Sequence, residues 1–301
     1  MPRYVHEMRA NVSRGIRGRG RLASTKNQHK RTSTLSRSVL KYHGGKSQLA
    51  KKHTIYEPSR YNIFGDCCVG GGSFLCVKDR PGVSEFANDT YAELTNFFWV
   101  LQGDDTYARF KRKVENTPFS QLEFAAASQD TALVPDVDRA HAFFVRNRQS
   151  RQGLEVDFAT RTRRLRRNRN ENASAWNSAI DGLDEFRDRI RWVEIRKMDV
   201  EAFIDLIDSP STFFYVDPPY LSETRVAGEY AVEMTPEQHR SLLEKLSSIE
   251  GKFMLCGYPS ELYAEFTRQN GWNTVEFEVS KSYSSAKSKP KAKEIIWRNY
   301  K

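Results

Sequence analysis

The chain has 301 residues, 39% of them hydrophobic and 12% aromatic, enough to bury a core as one large domain or two small ones. Its formal charge of +10 is uneven: residues 1–38 hold ten Lys/Arg against the single acid Glu7, so most of the basicity belongs to a tail. No apolar run reaches the length of about 18 residues that a membrane-spanning helix needs, and the N-terminus lacks the apolar stretch of a secretory signal.

Residues 1–38, centred on Arg14-Gly15-Ile16-Arg17-Gly18-Arg19-Gly20-Arg21, are polar, Gly-rich and basic. Such a segment has too little apolar surface to order itself and is expected to be disordered. It reads as a phosphate-gripping arm or as a solvated extension. The four cysteines (Cys67, Cys68, Cys76, Cys256) form no C-x-x-C pair, and adjacent Cys67 and Cys68 make a poor disulfide or metal site. Reduced thiols in a cytoplasmic protein (host cytoplasm if the chain is viral) are expected.

Lys41-Tyr42-His43-Gly44-Gly45-Lys46-Ser47 opens a helix expected to run through Lys52. A phosphate-binding loop would need glycine five residues before the second glycine, where Leu40 stands, so that reading fails. Lys46 near a helix start suits a carboxylate instead. Tyr61–Asp66 reads as a strand entering Gly70-Gly71-Gly72-Ser73-Phe74 and a short helix. Strand, glycine turn and helix form a cradle that lets a ligand approach the backbone. The next strand, Val83–Ala87, ends in Asn88-Asp89, where an acid grips a ribose in a Rossmann arrangement. A helix over Thr90–Leu101 follows.

Residues 103–190 interrupt the βα rhythm. Helical patterns at Asp104–Glu115, Val137–Asn147 and Ile180–Arg189 flank a cluster of Arg161, Arg163, Arg164, Arg166, Arg167 and Arg169. The cluster reads as a phosphate grip or as a solvated loop, and the segment as an inserted helical subdomain.

The rhythm resumes with Trp192–Met198, then Asp199 and a helix over Val200–Ile207. The run Thr212-Phe213-Phe214-Tyr215-Val216 is apolar on both faces, as in a parallel strand covered by helices. Asp217-Pro218-Pro219-Tyr220 ends it, because neither proline can donate to a ladder. An acid and a ring at the carboxyl end of such a strand suit methyl transfer to an exocyclic amine. Asp217 and the Pro218 carbonyl accept hydrogen bonds from the amine, and Tyr220 stacks on a flipped base. A plain strand-ending turn fits the four residues equally well. A polar, lid-like loop (Ser222–Glu233), a helix capped at Thr235 with Gln238 as partner, strand Lys252–Gly257, helix Ser260–Asn270 and strands Trp272–Val279 and Glu294–Arg298 complete the chain. The order predicts a doubly wound α/β sheet with an antiparallel end.

In this order the motifs resemble those of the Dam-like DNA adenine methyltransferases, particularly the phage-type branch, from about Val39 to the C-terminus. Lys41–Lys46 looks like the family's first motif, Gly70–Phe74 like its glycine loop, and Asp217–Tyr220 like its catalytic motif in full. Thr117–Ser120, Asn147–Gly153 and Lys252–Tyr258 are secondary matches. The chain departs where Asp66-Cys67-Cys68 replaces a usual Glu-Pro-Phe, and where Arg151 replaces a usual Phe. The resemblance implies a Rossmann-like methyltransferase domain over 39–102 and 191–301, with 103–190 as a mainly helical target-recognition insertion. It implies S-adenosyl-L-methionine as cofactor, held by Tyr42, Lys46, Asp66, Gly70, Gly72, Phe74, Asp89, Asp199 and Asp217. Catalysis then falls to Asp217, Pro218, Pro219 and Tyr220, and contact with double-stranded DNA to Arg148, Arg151, Arg161, Arg163, Arg164, Arg166 and Arg167. No metal is needed, since a sulfonium is already an activated leaving group, and a monomer is favoured. No Pro-Cys nucleophile accompanies the motif, which argues against methylation at cytosine carbon. Amine methylation of cytosine, RNA or a protein amide, or a DNA-binding protein with a decayed catalytic half, are the alternatives.

Overall fold

A computed structural model describes residues 38–301 apart from 43–44, 47–48, 79–80, 129–135, 222–231 and 281–290. The expectations for the basic tail before Ser38, for nearly all of the lid-like loop and for the Lys/Ser-rich segment before the last strand lie outside the described residues.

A short helix α1 (Ala50–His53) and a 3-10 turn precede strand β1 (Ile63–Asp66), helix α2 (Ser73–Val77), strand β2 (Ser84–Asn88) and helix α3 (Ala92–Gln102). Four helices follow: α4 (Asp104–Glu115), α5 (Gln121–Ala127), α6 (Asp136–Gln149) and, beyond a two-strand hairpin β3 (Leu165–Arg166) and β4 (Arg169–Asn170), α7 (Glu171–Asp181). Then come α8 (Leu183–Ile190), β5 (Glu194–Arg196), α9 (Val200–Ile207) and β6 (Thr212–Val216). The chain ends with α10 (Pro236–Ser248), β7 (Lys252–Gly257), α11 (Glu261–Asn270), β8 (Asn273–Ser280) and β9 (Lys291–Arg298).

Seven strands form one sheet in the order β5-β2-β1-β6-β7-β9-β8. The first five are parallel, and β9 runs antiparallel to both β7 and β8. β6 is buried along its whole length because helices cover both faces, as its apolar run predicts. The strand order reverses between β1 and β6, and open α/β sheets bind ligands at such a switch point. Asp66 ends β1 there in register with Tyr215, two residues before Asp217. The helices over residues 103–190 pack through an aromatic cluster with α3, including stacked Phe97 and Phe144 and the tilted pair Phe144–Trp176.

Three local expectations differ. The first helix, expected through Lys52, is the short α1 over Ala50–His53. The Ile180–Arg189 pattern is two helices split at Gly182, which closes α7 and opens α8. The arginine cluster is partly a hairpin, with Arg167 and Asn168 at φ +54° and +56° joining β3 to β4. Two left-handed residues in a row are what a tight primed turn requires, and asparagine tolerates that region.

Candidate active site

The turn after β1 is built around Asp89. Its Oδ2 accepts the Gly70 N–H at 3.0 Å and its Oδ1 the Tyr91 N–H at 2.9 Å, so the acid closing β2 ties down the glycine loop. Gly70 has φ +47°, and a Cβ there would lie 2.7 Å from the Tyr42 ring, so both the backbone angle and the ring exclude a side chain. Gly72, at φ +68°, starts α2 as its N-cap. Phe74, on that helix, stacks on Tyr215 of β6 with centroids 3.9 Å apart.

Beside it the fully buried Asn88 joins three strand ends. Its amide donates to the Cys67 and Met198 carbonyls at 3.2 and 3.0 Å and accepts the Met198 N–H at 3.0 Å. Motif spacing points to its neighbour Asp89, and nothing local in the sequence marks Asn88.

Asp217 directly follows β6 with its side chain 18% exposed. Lys46, itself buried, places Nζ 3.0 Å from Asp217 Oδ1 and 3.5 Å from Glu294 Oε1 on β9. The same ammonium lies 4.5 Å above the Tyr220 ring, whose edge meets Tyr258 with centroids 4.8 Å apart. Burial raises the Asp217 pKa, while Lys46 and the Tyr220 hydroxyl hold it down. Asp66 is buried with Oδ1 lacking a hydrogen-bond partner. Burial first, then the charges of Asp217 and Asp89, push its pKa well up.

Two adjoining cavities open here. One is lined by Lys46, Asp66, Gly70, Phe74, Asp217 and Pro218, the other by Asn88, Asp89, Tyr91, Asp199, Pro219 and Met234. Tyr42, Cys68, Gly70 and Asp217 border both. Asp199 reaches the second while capping α9, its Oδ1 accepting the Glu201 and Ala202 N–H groups. Gly72 lines neither. Of the expected cofactor-site residues, all but Gly72 thus border these two cavities.

The arginines divide differently. Arg161, Arg163, Arg164 and Arg167 are exposed, Arg166 is half-buried, and none of them has an acidic partner among the described residues. Arg151 pairs with Asp157 at 2.8 Å. Arg148 is held inside by the Ala175 carbonyl at 2.8 Å, and burial lowers its pKa to about 10. That geometry suits an internal brace better than a phosphate contact.

Among the described residues no cluster of three or more His, Cys, Asp or Glu is placed to hold a metal ion, and no helix is long and apolar enough to cross a membrane.

A mainly parallel sheet with a glycine cradle after its first strand, and acids at the switch point, defines a Rossmann-like α/β architecture, the class that places its ligands at such a point. Residues 42–283 match the family model of D12 class N6 adenine-specific DNA methyltransferases, and the chain belongs to this family. It is therefore an adenine-specific DNA methyltransferase. A search of curated proteins gave no match.

Proposed function

We propose that the two cavities together hold S-adenosyl-L-methionine, that the target adenine meets it at Asp217, and that Asp217, Pro218, Pro219 and Tyr220 carry the chemistry on double-stranded DNA. The observation that carries this is the place of Asp217, which borders both cavities at the switch point. The cofactor, when bound, supplies a methyl group already activated on a sulfonium. The residues present fit it: Asp66 offers a buried, unpartnered carboxyl oxygen toward the first cavity, complementary to an ammonium. Asp89, anchored between Gly70 and Tyr91, and Asp199 border the second, where ribose and adenine belong.

An adenine amine is a poor nucleophile because its lone pair is delocalised into the ring. The Asp217 carboxylate and the Pro218 carbonyl accept its two hydrogens and favour a tetrahedral nitrogen with its lone pair free. The carboxylate's charge then stabilises the nitrogen as it becomes cationic, an interaction strongest in the transition state. Tyr220, fixed between Lys46 and Tyr258, offers a ring beside a base flipped from the duplex.

Residues 103–190 are the target-recognition insertion in this reading, and 39–102 with 191–301 the methyltransferase domain. Arg161, Arg163, Arg164, Arg166 and Arg167 on and beside the β3–β4 hairpin contact phosphates; the exposure of most of them supports it. A monomer and the phage-type branch complete the reading, the latter on motif likeness alone. The test is sequencing of unmethylated genomic DNA after incubation with the purified protein and S-adenosyl-L-methionine. N6-methyladenine at one fixed duplex sequence is expected; methylation of single strands only, or of cytosine, overturns it.

A further inference from the structure

Glu294 lies beyond the residues that match the family model, on β9 directly before the buried apolar run Ile295, Ile296 and Trp297. Its side chain is only 6% exposed. A carboxylate there is costly unless it is paired, and Lys46 supplies the pair at 3.5 Å. That lysine faces Asp217 at 3.0 Å on its other side. The result is a buried line of carboxylate, ammonium and carboxylate, assembled from β6, the loop before α1 and β9.

Burial raises the Glu294 pKa, Lys46 holds it down and Asp217 adds to the rise; with both acids ionised the line carries two negative charges and one positive. Without Glu294, Lys46 and Asp217 would form a neutral pair, and the amine nitrogen would develop its positive charge against no net field. With Glu294 the ammonium is shared and one negative charge remains. The other titratable groups around the line add little: Cys256 on β7 and Tyr215 on β6 stay neutral as thiol and phenol, and so does buried His53 on α1. Asp66 on β1 is the other acid nearby, and Asp217 raises its proton affinity.

We propose that Glu294 is a positioning residue for methyl transfer: by sharing Lys46 it fixes the ammonium on Asp217 Oδ1 and leaves the ionised line with one net negative charge beside the target amine. The inference rests on Asp217 being that acceptor, so the test carries both variants.

The full-length protein is compared with Glu294→Gln, Glu294→Asp and Asp217→Ala. Single-turnover methylation of unmethylated genomic DNA by S-adenosyl-L-methionine is followed from about pH 5.5 to 9, alongside cofactor affinity and thermal midpoint. Glu294→Gln should slow the step tenfold or more and move its acid limb to lower pH, since losing a negative neighbour favours the ionised Asp217. Cofactor affinity and midpoint should stay near wild type, and Glu294→Asp should recover part of the rate. A wild-type rate and acid limb in Glu294→Gln overturns the inference. So does a rate loss matched by falling affinity and midpoint with no rescue by Asp, which makes Glu294 merely structural. If Asp217→Ala keeps the wild-type rate, it is the reading of Asp217 that fails, whatever Glu294 does.

Discussion

Lys41 and Asn147 hold each other in both directions: the Lys41 N–H donates to Asn147 Oδ1 at 2.9 Å, and Asn147 Nδ2 donates to the Lys41 carbonyl at 2.7 Å. The Lys41 ammonium continues the staple by donating to the Arg148 and Ser150 carbonyls at 2.6 and 3.2 Å. A Cβ on Gly153 would collide with the Lys41 carbonyl, so only glycine lets the loop after α6 approach so closely. The loop bearing Tyr42 is thereby fastened to the end of α6. Asn147→Ala removes two hydrogen bonds and strands a backbone N–H, and should cost about 1–3 kcal/mol of stability. Urea unfolding measures this, and cofactor affinity should fall with it because Tyr42 borders both cavities.

Asp89→Ala should weaken cofactor binding by about 1–3 kcal/mol, the scale of hydrogen bonds to a charged group. Part of that loss is indirect, since Asp89 also fixes Gly70 and Tyr91. Asp89→Asn keeps one acceptor oxygen and should lose less. Equal calorimetric affinities for wild type and Asp89→Ala would remove Asp89 from the site.

Replacing Arg163, Arg164 and Arg167 together by Ala should flatten the salt dependence of DNA binding. Each lost phosphate contact lowers the slope of log affinity against log salt by about 0.9, while sequence preference stays as it was. Anisotropy titrations over a salt series read the slope directly; an unchanged value would make the cluster a solvated surface.

His53 is fully buried against Tyr215, its Nδ1 3.1 Å from the hydroxyl, and burial followed by the charges of Lys46 and Lys52 lowers its pKa to about 3. The unfolded chain protonates this histidine near pH 6.5, so between those values the unfolded state binds the extra proton. Stability is therefore full above about pH 6.5 and falls as the pH drops toward 3, by about 2–3 kcal/mol at pH 4.5 from this group alone. Denaturant unfolding of wild type should show that slope, and His53→Gln should flatten it. Equal slopes would mean that His53 does not stay neutral in the fold.

What the chain reveals in advance depends on whether a signal is local. The buried β6 run, the Thr235–Gln238 capping box and the acid closing β2 are each written within a few residues, and the structure has all three. Helix α5 has a local signal too, Ser120 as its cap with Glu123 three residues on, but its seven residues are too short to show a helical period. Helix α7 was hidden by the arginines before its cap, Asn170. The Arg167–Asn168 turn was masked in the same way, because arginine followed by asparagine lacks the glycine that usually announces a primed turn. Glu294 could not have been placed at all. Its meaning comes from Lys46 on a distant loop, which only the sheet order brings beside β9. The same distance applies to Gln149, buried at the end of α6, where it accepts the Ser120 N–H and donates to the Pro118 carbonyl. Two motif matches thus meet in space as anchors of the insertion.

Asp217 carries the most demanding prediction. Asp217→Ala removes an acceptor whose value is greatest when the amine nitrogen is tetrahedral and cationic, so the loss should appear in turnover rather than in binding. It also strips Lys46 of its nearer carboxylate, leaving it paired with Glu294 among the described residues, so some local rearrangement is built into the variant. Asp217→Asn separates the two effects: it keeps the shape and one acceptor oxygen but loses the charge. The single-turnover rate should fall by at least about a hundredfold in Asp217→Ala, the scale of a lost charge-stabilising contact, and Asp217→Asn should lie nearer to Ala than to wild type. DNA and cofactor affinities should change far less in both. Tyr220→Ala should cost about 1–3 kcal/mol of base stacking, with Tyr220→Phe milder because the ring beneath Lys46 remains. Methylation at the wild-type rate by Asp217→Ala would mean that the amine is activated somewhere other than at the end of β6.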